Sequence, residues 1–187
     1  MISVEVLTKN PYYYLKDANL ITIGKRAKQG DKEDYNSYTK QYDYFKKCFL
    51  AEHSTIEVLQ FRIFDDSCRG DVINQIVRHT KGHPRYSVQS SRPDWNNNEP
   101  RKPSDKTYRF FLSTWNPLAF MQACRQRLCA NAQKETREWT KEVIACMQNS
   151  KDPMLVALAD CCVPQCEYRG GYCFEIKGCG RCPKNCL

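Results

Sequence analysis

With 187 residues, of which 41% are hydrophobic and 27% charged, the chain is long enough for one folded domain and unlike a disordered segment. Its net charge of +8 predicts an anionic partner, either nucleic acid or a small ligand that carries phosphate. The longest apolar run, residues 154–159, is too short to span a membrane, and the alternating start of the chain lacks the features of a signal peptide. We therefore expect a cytoplasmic protein without a membrane-spanning segment.

The first elements follow from periodicity. Apolar residues alternate with polar ones in residues 2–8, which predicts a strand that ends before Asn10-Pro11, where a short helix follows. The polar residues 24–34 predict a loop. Aromatic side chains then recur at helical spacing, so residues 35–51 are predicted to form an amphipathic helix.

A second strand and helix are predicted next. Residues 57–64 are rich in strand formers, and the polar residues 65–67 can cap a helix that starts near Cys68. The apolar side chains of this helix lie on one side. Gln75 and Arg78 are then expected to project from the opposite side.

The second half of the chain predicts an exposed loop at residues 93–106 and a strand at residues 108–115. Asn116-Pro117 is then typical of the start of a helix, here a long one that reaches about Met147. The fold class predicted is α+β, with a central, mostly antiparallel sheet flanked by helices. Residues 1–160 are expected to form the catalytic domain, and residues 161–187 an irregular Cys-rich tail of the same domain.

Seven of the twelve cysteines crowd that tail. Cys179-Gly180-Arg181-Cys182 has the shape of a metal knuckle, and a structural zinc there could take its other ligands from the same stretch. The candidate ligands are Cys162, Cys166, Cys173, Cys179, Cys182 and Cys186. Their spacing matches no common zinc module, so free thiols are the preferred interpretation, structural zinc the second and disulfides the third, and no metal ligand is assigned.

One basic segment carries several candidate site residues. Arg78 and His79 end a predicted helix, and the following loop contains Ser90-Ser91-Arg92, whose hydroxyls, amides and guanidinium can bind a phosphate. Composition alone favours the alternative that these arginines form a solvated basic loop.

The predicted long helix offers a second set. Arg127 and Asn131 would share one face, and Arg137 would lie about 15 Å further along the axis. Ordinary helix ion pairs are the alternative, unless something connects this helix with the basic loop.

A family resemblance makes that connection. Residues 52–57, the segment from Gln75 through Arg78-His79 to Ser90-Ser91-Arg92, and residues 127–137 with their Ala-Gln-x-Glu-x-Arg pattern occur in this order. Together they resemble the flavin-dependent thymidylate synthases over roughly half of the chain.

The resemblance implies binding positions. It places Ser54, Arg78, His79, Arg127 and Asn131 on the flavin, with Thr80 at a further flavin position where the family has an arginine. It places Gln75, Arg78, Ser90, Ser91 and Arg92 on the nucleotide. Arg137 matches the arginine against the pyrimidine ring, where its charge would stabilise a developing anion.

The implied reaction is the reductive methylation of dUMP to dTMP, with FAD as cofactor and with methylenetetrahydrofolate and NADPH as co-substrates. No cysteine nucleophile is required. The family also implies a homotetramer that holds FAD between subunits. Residues 93–106 replace a longer helical segment of the family, whose phosphate-binding arginine could be substituted by Arg101, Lys102 or Arg109.

Two other hypotheses stay open. Thr80 and the shortened middle of the chain leave room for modification of C5 in another pyrimidine nucleotide. The positive charge and the cysteines are also compatible with a zinc-bearing module that binds nucleic acid, although no RNA-binding motif is present and such a partner is not the preferred one.

Overall fold

The computed structural model describes residues 1–25, 37–90, 92 and 107–181, and the backbone of residues 184–185. Within these residues the strands and helices follow one another in the order β1 (Ile2–Val6), α1 (Pro11–Thr22), α2 (Tyr38–Ala51), a 3₁₀ turn (Ser54–Val58), β2 (Phe61–Arg69), α3 (Gly70–Ile76), β3 (Arg85–Val88), β4 (Tyr108–Trp115), α4 (Pro117–Arg127), α5 (Lys134–Gln148), α6 (Pro153–Cys161), α7 (Gln165–Tyr168), β5 (Tyr172–Cys173) and β6 (Lys184–Asn185). The predicted loop at residues 93–106 lies outside the described residues, as does most of the loop at 24–34.

A four-stranded antiparallel sheet in the order β1-β2-β4-β3 organises the molecule. One face is buried, because Phe61, Ile63 and Phe111 alternate with exposed side chains along β2 and β4. The opposite face exposes Phe64 and Phe110, whose rings stack. The predicted α+β class with an antiparallel sheet is confirmed.

Helices cover the buried face. Phe45 and Phe49 of α2 are fully buried in the same apolar core as Leu155 and Leu158 of α6. The longest apolar run of the sequence therefore lies in a core helix. No helix in the described ranges is long and apolar enough to cross a membrane.

The predicted helix start at residues 65–67 is wrong. Strand β2 continues to Arg69 through a bulge after Asp65, and helix α3 begins only at Gly70. The Asp65 carboxylate is buried, where it accepts a 2.8 Å hydrogen bond from the Trp139 indole and a 3.0 Å bond from the Ser67 amide. These bonds use the carboxylate within the bulge, so it does not cap a helix.

The helix predicted from Pro117 to Met147 is also interrupted. Asn116 caps its start as expected, but α4 ends at Arg127 and α5 starts at Lys134. Arg137 donates from one guanidinium nitrogen to the carbonyls of Ala130 (2.8 Å) and Ala132 (3.0 Å) in the intervening segment. Side-chain hydrogen bonds to the backbone thus accompany a break in a segment that contains no Gly or Pro, so helical propensity alone does not decide its structure.

Part of the basic segment after α3 forms a strand. The prediction made it a loop, whereas Arg85–Val88 pairs with β4 as an edge strand. The turn before it is fixed by Asn116, which donates to the carbonyl of Gly82 at 2.8 Å while its oxygen accepts from the Ala119 amide. The start of α4 therefore positions the residues that follow α3.

Replacing Gly82 with alanine tests this junction. Gly82 has a φ of +72°, and a Cβ there would lie 2.6 Å from the Cβ of Ala119. We expect the free energy of unfolding to fall by about 2–4 kcal/mol in urea titrations. The control is Gly24→Ala, where φ is +71° and, apart from its chain neighbours, no atom of the described residues lies within 4 Å of the added Cβ, with an expected loss of about 1 kcal/mol. Equal losses in both variants would contradict the packing of Gly82 on Ala119.

The Cys-rich tail contains more order than predicted, since it forms α7 and a short parallel strand pair. The cysteines in the described ranges are free thiols, and burial raises the pKa of Cys162, which lies beside Cys124. Cys182 and Cys186 lie outside the residues whose side chains are described. Among those that are described, no three His, Cys, Asp or Glu side chains are placed to hold a metal ion, and a structural zinc stays a prediction.

Candidate functional site

Three residues of the predicted site meet in one hydrogen-bonded cluster. Arg127, at the end of α4, donates from Nε to Nε2 of His79 at 2.7 Å. Its two terminal nitrogens donate to the side-chain oxygen of Gln75 (3.2 Å) and to the carbonyl of Gln75 (2.7 Å). The guanidinium therefore joins α4 to the end of α3, the two segments that the resemblance had placed on the same ligand.

His79 is neutral in this cluster. Burial and the positive charge of Arg127 lower its pKa from 6.5 to about 4. Because Nε2 accepts from Arg127, the ring proton lies on Nδ1. The site thus contains an uncharged imidazole at neutral pH, in contact with a fixed cation.

Acid is expected to destabilise the protein through His79. The unfolded chain binds this proton below pH 6.5 and the folded chain only near pH 4, so the stability is complete above pH 6.5 and falls as the pH decreases from 6.5 to 4. With solvent screening of this half-buried group allowed for, the loss is at most about 2 kcal/mol. Urea titrations across this range measure it. His79→Gln should flatten the slope, and an equal slope in that variant would contradict the assignment.

Tyr86 supports the cluster, although the sequence assigned it no function. Its hydroxyl contacts the carbonyls of His79 (2.8 Å) and Ile76 (3.1 Å), and its ring stacks on Phe111. Burial raises its pKa, so the hydroxyl remains a donor. No sequence signal distinguished this tyrosine, because it lies in the segment predicted as a loop.

A cavity of about 440 Å³ opens beside Arg127 and Asn131. One wall is the end of α4 with the segment that precedes α5, and the other is the tail from Pro164 to Arg181. Asn131 donates to the carbonyl of Lys177 at 2.8 Å, which holds the tail against this segment.

A second cavity, of about 480 Å³, is lined by Arg78, His79 and Thr80. It shares Arg125 and Arg169 with the first, so the two cavities adjoin. All predicted flavin residues except Ser54 therefore line one of these two adjoining cavities. Ser54 is exposed at the start of the 3₁₀ turn and lines neither cavity.

Arg125 is a further residue that sequence reasoning missed. It is buried between the two cavities, pairs with Glu52, and lies with its guanidinium 3.4 Å from the centre of the Tyr168 ring. Its spacing of two from Arg127 gave no helical-face signal. Through Glu52 it connects α4 to the segment that contains Ser54.

The predicted phosphate loop takes no part in the hydrogen bonds that Arg127 makes to Gln75 and His79. Ser90 follows β3 at the end opposite Arg85, about 10 Å of strand away from the His79 side. The Arg92 amide donates to the Ser90 hydroxyl at 3.2 Å, and Ser91 lies outside the described residues.

The other predicted positions lie as follows. Arg137 is half-buried and directs one guanidinium nitrogen to the carbonyls on either side of Asn131. Arg109 lies on β4 opposite Cys68. Arg101 and Lys102, named as substitutes for a missing phosphate ligand, lie outside the described residues.

Comparisons with known proteins give different results for the sequence and for the fold. No protein-family model and no curated protein matches this sequence. Among solved structures, the flavin-dependent thymidylate synthase of Helicobacter pylori, in complex with FAD and dUMP, matches with a TM-score of 0.60 at 12% identity, over 86% of this chain and 100% of that chain. A UMP/dUMP methylase, PolB, from Streptomyces cacaoi bound with 5-Br dUMP matches with a TM-score of 0.54 at 13% identity, over 86% and 95%. The resemblance stated from three sequence segments is thus confirmed at the level of structure: the chain has the fold of the flavin-dependent thymidylate synthases.

Proposed function

We propose that this chain binds FAD and a pyrimidine nucleotide and transfers a one-carbon group to C5 of the base. The observation that carries the proposal is that two cations, Arg78 and Arg127, act on each other electrostatically at the cavities. No carboxylate in the described part of the chain pairs with Arg78 or Arg127, and burial together with the charge of Arg78 lowers the pKa of Arg127. An anion bound between them would relieve this repulsion, as expected for a phosphate site.

The lining residues fit a flavin dinucleotide. Arg78, Arg127 and Arg169 face the two cavities, and Glu175 is the sole carboxylate among the described lining residues. A diphosphate can be neutralised there, with Asn131, Thr80 and neutral His79 as additional hydrogen-bonding groups. Bound FAD would supply hydride chemistry, which no side chain provides. The structure of the Helicobacter pylori enzyme holds FAD and dUMP on the same fold.

The residues of this chain would position and polarise the reactants. Arg127 fixes Gln75 and His79 relative to each other, and His79 contributes a neutral ring where a second charge would oppose Arg127. Arg137 uses one terminal nitrogen on backbone carbonyls. The rest of its guanidinium would stabilise negative charge on the pyrimidine ring.

The nucleotide site would combine residues of two copies of the chain. Ser90 and Arg92 follow β3, whereas Gln75 lies in α3 and is held by Arg127, and we infer that different subunits contribute the two sets. This arrangement would fit the homotetramer that the resemblance implies. The nucleotide phosphate would be bound by Ser90, Ser91 and Arg92. Gln75 would contact the part of the nucleotide that carries the base.

The specific reaction we propose is reductive methylation of dUMP to dTMP, with methylenetetrahydrofolate as carbon donor and NADPH as reductant. A second candidate is the same modification of another pyrimidine nucleotide. The fold is shared with a methylase bound with 5-Br UMP, at a TM-score of 0.54 and 10% identity. Thr80, which stands where the family has an arginine, is consistent with that alternative.

Tritium release from C5 distinguishes the two. The full chain is incubated with FAD, NADPH, methylenetetrahydrofolate and C5-labelled dUMP, UMP or dCMP. We expect FAD-dependent release from dUMP. Release from UMP or dCMP without release from dUMP would select the alternative, and no release from any of the three would overturn the proposed chemistry.

Arg92→Ala tests the phosphate loop. Loss of one charge-assisted phosphate contact should raise the KM for dUMP about tenfold and leave kcat within about twofold. Steady-state kinetics measure both values. Arg62→Ala serves as control, since Arg62 pairs with Glu5 on the exposed face of the sheet. An unchanged KM in Arg92→Ala would remove this loop from the site.

A further inference from the structure

The Cys-rich tail forms a wall of the first cavity as well as the end of the chain. Arg169, Tyr172 and Phe174 line this cavity opposite Arg127 and Asn131. Contacts with α4 and with the segment before α5 hold the tail in place. The Asn131 amide donates to the Lys177 carbonyl at 2.8 Å, and the Tyr168 ring lies against the buried Arg125 guanidinium. The tail is therefore fixed to both segments that form the opposite wall.

The tail wall presents aromatic surface to the cavity. Phe174 is 49% exposed and Tyr172 is 40% exposed, so both rings have free surface that a ligand in the cavity could contact. The guanidinium of Arg169 lies over the ring of Phe174, 4.4 Å from the ring centre. A flat ring beside a planar cation is suited to a ligand that combines an aromatic ring with phosphate.

The charges of the two walls are complementary to such a ligand. Arg181 is neutralised by Glu167, whereas neither Arg169 nor Arg127 has a carboxylate partner among the described residues. These two guanidiniums lie on opposite walls of one cavity of about 440 Å³, a volume within the range of small-molecule sites. A diphosphate between the walls would contact both.

We propose that the tail binds the adenosine diphosphate part of FAD, with Phe174 stacked on the adenine and Arg169 paired with the diphosphate opposite Arg127. The proposal rests on the proposed flavin function and adds a specific part of the cofactor and a specific segment of the chain. It also gives the tail a ligand-binding function that requires neither zinc nor a disulfide.

Binding measurements on the full chain test this proposal. Calorimetric titrations with FAD, FMN and ADP are made for wild type, Phe174→Leu and Arg169→Gln. Loss of one stacking or phosphate contact should raise the Kd for FAD and for ADP about tenfold, while FMN, which lacks the adenosine, changes less than about twofold. Ile176→Ala is the matched control, because Ile176 lies in the same tail, is 99% exposed and does not line the cavity.

The outcomes are distinguishable. Wild-type protein that binds neither FAD nor FMN would overturn the flavin function, and with it this proposal. Wild-type FAD binding with unchanged affinity in both tail variants would overturn the tail proposal alone. Equal weakening of FAD and FMN would also overturn it, because the tail would then act on the flavin ring or on the fold.

Discussion

Replacing Arg127 with alanine should weaken FAD binding by about 100-fold or more. The variant loses three hydrogen bonds to His79 and Gln75 and a cation that has no carboxylate partner in the described part of the chain. A loss on the order of 3 kcal/mol corresponds to that factor. Quenching of flavin fluorescence measures the affinity.

The same variant should change the titration of His79. With Arg127 removed, one cause of the low pKa disappears while burial remains, so the pKa should rise from about 4 towards 6.5. NMR titration of the imidazole resolves this shift. Lys134→Ala, which removes an exposed cation of α5, should alter neither quantity. An unchanged FAD affinity in Arg127→Ala would mean that the cluster is structural only.

Replacing Arg137 with glutamine should lower kcat by about 100-fold to 1000-fold, the usual effect of removing one preorganised group that stabilises a developing anion. Glutamine can still donate to a carbonyl of the segment between α4 and α5. The affinity for FAD should therefore stay within about threefold of wild type. Tritium release and flavin titration measure the two quantities separately.

Arg137→Ala provides the comparison. It removes both the charge and the hydrogen bonds to Ala130 and Ala132, which flank the cavity residue Asn131. We expect the same loss of kcat together with weaker FAD binding. Near-wild-type turnover in Arg137→Gln would restrict Arg137 to holding this segment and would contradict its assignment to the pyrimidine.

Much of the fold could be predicted from periodicity. The strand predicted at residues 108–115 is β4 with the same bounds, and the helix predicted at residues 35–51 is α2 with a later start. Both depend on local patterns of apolar side chains, since their buried faces contact one core. The errors arose where side-chain hydrogen bonds decide the course of the backbone, one from distant Trp139 and others from nearby Arg137. Trp139 keeps Asp65 in a strand, and Arg137 interrupts the long helix.

The candidate site, too, could be predicted only in part from the sequence. Gln75, His79 and Arg127 were predicted from ordered motifs, and the structure joins them by direct hydrogen bonds. Arg125 and Phe174 could not be predicted, because their position at the cavity depends on a tail that folds back across the end of α4. Nothing in the spacing of either residue indicates that approach.

The flavin content of the purified full chain tests the central claim most directly. FAD is added in slight excess, unbound flavin is removed by gel filtration, and the absorbance of the protein fraction between 350 and 500 nm is compared with its concentration. The account predicts about one FAD per chain, with the bound fraction reduced in Arg127→Ala and retained in Lys134→Ala. A colourless wild-type protein, properly folded and saturated with FAD before filtration, would contradict it.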